Sequence, residues 1–121
     1  VIELHRIPIP RPMGIAGLEI DLPVFATIGI HEGEVIGIGG LTWGGGRCFL
    51  FFHIEKQVPG AGLVAVREAR RMIRKARQLG ETEIWTIRDA AYDTSERLLK
   101  IVGFEPAGED NGKEAWRLSL L

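Results

Sequence analysis

Gln57-Val58-Pro59-Gly60-Ala61-Gly62 joins two contrasting stretches of this chain. Before it, Cys48 to Ile54 is apolar and strand-like; after it, Leu63 to Leu79 repeats apolar residues at helical spacing. Strand, glycine turn and helix follow in that order. The first N–H groups of a helix have no partner inside it and lie at the positive end of its dipole. A Gly-rich turn leading into them makes a seat for a phosphate or pyrophosphate. The competing reading is a plain Pro-Gly turn that starts a helix, and the hexapeptide alone does not separate the two.

Outward from this junction the pattern is regular. Leu63, Val66, Ala69, Ile73, Ala76 and Leu79 form one stripe, and Gly80 stands where the helix should stop. Arg67, Arg70, Arg71, Arg74, Lys75 and Arg77 fall opposite that stripe, on the wet side. Upstream, Val24 to Ile30 and Val35 to Trp43 read as a hairpin around His31-Glu32-Gly33-Glu34. Gly44-Gly45-Gly46 turns into a third strand, Arg47 to Glu55, whose Cys48 to Phe52 run is apolar on both faces and so central. Val1 to Ile7 alternates as a short edge strand. Pro8, Pro10 and Pro12 then exclude regular structure as far as Met13, and the glycines and closing Pro23 of residues 14–23 argue against a long helix.

Downstream, Glu83 to Ile87 is a short strand centred on Trp85. Asp93 and Glu96 have capping-box spacing for a second helix that ends at Gly103. Phe104 to Ala107 and Lys113 to Leu120 make a last hairpin around Glu109-Asp110-Asn111-Gly112. The order predicts one domain over residues 1–121, α+β (mixed α/β), with a central sheet and two flanking helices.

Composition excludes several classes. Length 121, 45% hydrophobic and 26% charged residues describe a single ordinary globular domain. A net charge of −1 gives no reason to expect nucleic acid or an anionic membrane as partner. No apolar run has the length of a membrane span, and no signal peptide is visible. Cys48 is the one cysteine, so no internal disulfide forms; its apolar strand makes it a buried, inert thiol, and the expectation is a cytoplasmic protein. His31 and Glu32 fall in a turn with no His or Cys spaced to complete a metal site. Trp43, Trp85 and Trp116 read as core or sheet-face packing.

The Gln-x-x-Gly-x-Gly pattern of Gln57 to Gly62, after a long apolar strand and before a helix of about five turns, resembles the acyl-coenzyme A pyrophosphate loop of the GNAT acetyltransferases. Ser95-Glu96-Arg97-Leu98-Leu99-Lys100-Ile101-Val102-Gly103-Phe104 resembles that family's last helix, which ends in Gly-Phe. The resemblance covers residues 24–120. It implies a GNAT-like acyl-CoA N-acyltransferase fold with a mixed, mostly antiparallel sheet. Acetyl-CoA is then the acyl donor and an amine of unknown identity the acceptor. The resemblance also assigns roles. Backbone groups of Phe52, His53 and Ile54 would hold the pantetheine and polarise the thioester carbonyl. Gln57, Val58, Gly60, Ala61, Gly62 and Leu63 would form the pyrophosphate loop, and a basic residue of the following helix would reach the 3′-phosphate.

Two departures accompany it. The family has two helices between its first and second strands, walling the acceptor site; residues 8–23, with four prolines, leave them missing or reduced. The family's tyrosine acid stands four residues before the Gly of Gly-Phe, which is Leu99 here, and its asparagine seven residues further back is replaced by Tyr92. A leucine cannot donate a proton.

For general base, Glu55 and His53 are the candidates. They share one side of the strand by period 2, and burial at the strand end would suit proton transfer. Their bland alternatives are a solvated strand-end carboxylate and a hydrogen-bonded core histidine. Tyr92, just before the second helix, is the candidate acid, or else a packing aromatic. The leading expectation is a small N-acetyltransferase working by direct transfer through a ternary complex. The alternative is a catalytically inactive GNAT-like binding or structural module, completed by a partner or by a second copy in a homodimer. A third reading is an unrelated α+β fold in which the glycine loop is only a turn.

Overall fold

The computed structural model describes residues 1–15, 18–20, 22–88 and 93–121. In chain order the elements are β1 (Glu3–Ile7), β2 (Met13–Ile15), β3 (Leu18–Ile20), β4 (Val24–His31), β5 (Glu34–Gly44), β6 (Arg47–Ile54), α1 (Ala61–Gln78), β7 (Glu83–Ile87), α2 (Asp93–Val102), β8 (Glu105–Asp110) and β9 (Lys113–Ser119). The main sheet runs β1-β4-β5-β6-β7-β9-β8. Every neighbouring pair in it is antiparallel except β6 and β7, which α1 connects in parallel. This is the mixed, mostly antiparallel α+β sheet that the sequence predicts.

Local chemistry accounts for the turns. Glu32-Gly33 and Asn111-Gly112 both take positive φ at their two residues (51° and 78°, 51° and 79°), the type I′ geometry whose twist matches paired strands. Further along, β5 passes β4 so closely that a Cβ at Gly40 would fall 1.9 Å from the Phe25 carbonyl oxygen, so only glycine fits. Between β1 and β4, where the family resemblance places two helices, the described residues form the short hairpin β2–β3.

Both helices pack on one face of the sheet. There Phe25, Leu41, Cys48, Leu50 and Ile84 meet Ala69, Met72, Ile73 and Ala76 of α1, Leu99 of α2, and Phe104 and Trp116. On the opposite face Val24, Ala26 and Ile38 form a smaller cluster with Ile7, Ile28 and Phe51. β6 thus buries Cys48 and Leu50 under the helices and turns Phe51 to the second cluster, as a central strand should.

α1 departs from the predicted stripe. It begins two residues before the expected Leu63, and Leu63 (58% exposed) and Leu79 (49% exposed) lie outside the core. Glu68 is buried in their stead, with Met72 beside the predicted Ala69, Ile73 and Ala76. Arg71 and Lys75 are correspondingly not on the wet side: Arg71 bonds Glu68 and Thr27, and Lys75 lies over the Phe25 ring. The cause is one inward-facing carboxylate. Arg6 and Thr27, donating from the sheet, satisfy Glu68 where the periodicity expects hydrocarbon.

Candidate functional site

The parallel pair β6–β7 is in register at a single position, Phe49 opposite Trp85. β6 runs on to Ile54 and β7 to Ile87 without further pairing, while the other edge of β6 stays laddered to β5 as far as Ile54 opposite Gly37. The backbone edges of Phe52, His53 and Ile54 that face β7 are therefore outside any ladder. Ladder pairing between the two strands thus stops short of their carboxyl ends, the end at which sheets with parallel strands hold ligands.

The chain leaves this end of β6 through a pinned loop. Glu55 and Lys56 both donate their N–H groups to the Ile36 carbonyl, at 2.8 and 3.1 Å. Gly60 is the N-cap of α1 with φ 86°, a conformation natural only to glycine, and no side chain caps the helix. Ala61 donates its N–H to Val58 O at 3.1 Å, and Val64 is the residue that closes the first turn, onto Gly60 O at 3.1 Å. The N–H groups of Gly62 and Leu63 lie between them at the open end of the helix. No acidic residue occupies the first turn. A Cβ built at Gly60 or Gly62 would meet nothing within 4 Å, so the protein leaves the space around this helix end free. Uncapped donors, a positive dipole end and open room fit a phosphate.

Of the proton-transfer candidates, His53 and Glu55 are brought together: His53 Nε2 lies 2.6 Å from Glu55 Oε1. Their side chains are 42% and 36% exposed, so neither is the buried group that the sequence reading expects. β6 ends at Ile54, and past that end no strand among the described residues covers them. Tyr92 lies outside the described residues. Leu99 is 4% exposed among the core side chains of the helical face, and its carbonyl accepts the N–H groups of Gly103 and Phe104. Cys48 is 1% exposed, and burial, helped by the nearby Glu81 charge, pushes its thiol up to about 12. It is no nucleophile.

Two features escape sequence reasoning. Arg88 directly follows β7; its side chain, 10% exposed, pairs with Glu114 and with Glu96 at 3.5 Å. Its buried Nε has no partner among the described residues. Nothing in its sequence neighbourhood separates it from a surface arginine. The second feature is an apolar cavity of about 60 Å³ between the first two turns of α1 and the sheet. Ala61, Val64 and Ala65 line it from the helix and Gly29, Gly37 and Gly39 from the strands. Phe52 and Ile54 of β6 line it as well, so it adjoins the candidate site, although no β7 residue borders it. Among the described residues no group of three His, Cys, Asp or Glu could hold a metal ion, and no helix is long and apolar enough to cross a membrane.

Comparison with solved structures identifies the architecture. An acetyltransferase from Agrobacterium tumefaciens superposes with a TM-score of 0.63 at 17% identity, over 78% of this chain and 60% of that one. The IAA acetyltransferase from Bacillus cereus superposes with a TM-score of 0.67 at 13% identity, over 99% of this chain and 100% of that one. The Campylobacter jejuni N-acetyltransferase PseH in complex with acetyl coenzyme A gives 0.61 at 12% identity, over 81% and 69%. The chain thus has the GNAT acyl-CoA N-acyltransferase fold. It spans about three-fifths of the Agrobacterium protein and the full length of the Bacillus one. No family model and no curated protein matches the sequence.

Proposed function

We propose that the chain binds acetyl-CoA and transfers its acetyl group directly to an amine. The observation that carries this reading is the coincidence of two features at one end of the sheet: the β6–β7 pair whose ladder stops at Phe49, and the uncapped, glycine-started N-terminus of α1. Acetyl-CoA supplies an activated acyl group as a thioester. Gly62 and Leu63 would donate backbone N–H groups to its pyrophosphate, with Val58 and Gly60 shaping the loop and Gln57 at its edge. The Ala61 N–H is already committed to Val58. The free edge of Phe52, His53 and Ile54 would hold the pantetheine and polarise the carbonyl, as oriented donors do where negative charge develops.

Direct transfer forms the amide C–N bond and breaks the thioester C–S bond. One proton leaves the amine and one reaches the departing sulfur. His53, oriented by Glu55 at 2.6 Å, would take the amine proton, and Tyr92 is the candidate donor to sulfur. The reading includes a cytoplasmic location, matching an unpaired, buried Cys48, and a homodimer that covers the helix-free face of the sheet; sedimentation at two concentrations tests the dimer.

A second reading, a non-catalytic binding module, is favoured by one observation: the position of the family's acid is a core leucine. Titration calorimetry with acetyl-CoA, using Gly60→Glu as control, and a thiol-release assay over an amine panel separate the readings. Micromolar binding lost in Gly60→Glu, with thiol release, is the expected result. Binding without release on any amine would leave the module reading, and no binding to the unaltered protein would sink both.

A further inference from the structure

Three cationic side chains converge on a second cavity, away from the glycine loop. Arg6 of β1 and Arg71 and Lys75 of α1 border a concavity of about 140 Å³, with Phe25 and Met72 among its apolar walls. Its volume is close to that of an apolar cavity of about 150 Å³ that holds one benzene ring.

The charge balance is uneven. Among the described residues Glu68 is the one carboxylate bonded to these groups: it accepts Arg6 Nη2 at 2.6 Å and Arg71 Nε at 3.0 Å, while Arg71 Nη2 donates to Thr27 Oγ1 at 3.1 Å. These bonds hold the two guanidinium planes in place and leave further N–H donors on each. Lys75 has no acidic partner among the described residues, and its Nζ sits 5.2 Å from the centre of the Phe25 ring. Among the described residues, three cations against one carboxylate leave an excess of positive charge beside an aromatic floor.

We propose that this cavity binds a small organic anion, its oxyanion head between Lys75, Arg71 and Arg6 and a compact apolar body against Phe25 and Met72. A carboxylate and a phosphate monoester share the required head, and the cavity size limits the body to about one ring. No residue of the 57–63 loop lines this cavity. The proposal is therefore independent of the acetyltransferase reading.

Titration calorimetry with benzoate, phenyl phosphate and inorganic phosphate tests it and shows which head is preferred. One site per chain is expected for at least one aromatic anion, tighter than for inorganic phosphate. Lys75→Met keeps the aliphatic stem and should weaken that binding about tenfold, the value of one charge-assisted hydrogen bond. Arg6→Met should act in the same direction, and the exposed Arg77→Met should leave affinity unchanged. Saturating coenzyme A should not displace the aromatic anion. Overturning results are no binding of either aromatic anion, equal binding of inorganic phosphate, indifference to both Lys75→Met and Arg6→Met in folded protein, or displacement by coenzyme A.

Discussion

On the helix-covered face of the sheet Leu41, Leu50, Ile84 and Trp116 are 0–1% exposed, whereas on the other face Phe49, Phe51 and Trp85 are only partly buried. The first face is closed by α1 and α2 together. The second carries the compact Val24, Ala26 and Ile38 cluster and, further along, the Trp85 ring with the Arg47 guanidinium 4.1 Å from its centre. The difference separates two tasks. Stability and the proposed phosphate-binding end belong to the helical face, since α1 provides both the core stripe and the uncapped N-terminus. The other face carries no helix among the described residues.

Truncation is the strongest way to break this comparison. Trp116→Ala should cost about 3–5 kcal/mol, because a fully buried ring leaves a cavity that the neighbouring helices cannot close. Phe51→Ala on the other face should cost roughly half as much, since part of that ring already meets solvent. Denaturant unfolding of both variants measures the contrast; equal costs would mean that the two faces contribute alike.

The next effect concerns the missing acid. Leu99→Tyr restores the family's residue type in sequence, but the position is sealed in the helical core. Overpacking should cost about 1–3 kcal/mol, and the hydroxyl would have to find a partner away from water. No gain in thiol release is expected. A tyrosine variant that is both stable and faster would show that α2 can rotate Leu99 toward the unladdered ends of β6 and β7.

Glu68 joins the two sides of α1. Burial pushes its carboxyl up, but hydrogen bonds from Arg6, Arg71 and Thr27 outweigh it and hold the group below its ordinary 4.5. A carboxyl depressed by folding contributes stability that is present above the ordinary value and lost as pH falls through the folded one. Stability should therefore decline below pH 4.5. Glu34 and Glu96, lowered by their bonds to Lys56 and Lys100, add to the same limb. Glu68→Gln should cost about 1–2 kcal/mol at neutral pH, discounted because Arg6 and Arg71 are partly in solvent, and should flatten the acid decline. Urea midpoints between pH 3 and 7 in both proteins provide the check; an unchanged acid slope would remove Glu68 from the account.

Most strands were legible because each is bounded by a chemically explicit turn: Glu32-Gly33, the Gly44-Gly45-Gly46 run, Asn111-Gly112. The start of α1 was legible to within two residues from Gly60 and Gly62. What periodicity could not supply was side-chain direction where a polar group is paired across the fold. Glu68 looks like a solvated helix residue until Arg6, 62 positions away, is placed opposite it. The same long-range pairing hid Arg71, Lys75 and Arg88. At the candidate site the loop was readable from local spacing, and His53 and Glu55 from period 2. Their exposure was not, because it depends on where the β6–β7 ladder stops.

Gly62→Ala gives the smallest effect and sharpens the assignment of the loop. Gly62 stands in the first turn of α1, its φ is not in the left-handed region, and an added Cβ meets no atom of the protein within 4 Å. On the protein alone the substitution should stabilise by about 0.4–1 kcal/mol, by restricting the unfolded chain. If the pyrophosphate approaches the Gly62 N–H, the same methyl group stands in its way. A higher melting temperature combined with weaker coenzyme A binding is therefore the expected pair of results. A gain in stability with unchanged affinity would mean that the glycine serves the turn and not the ligand, and the open helix end would lose its assignment while the fold kept its own.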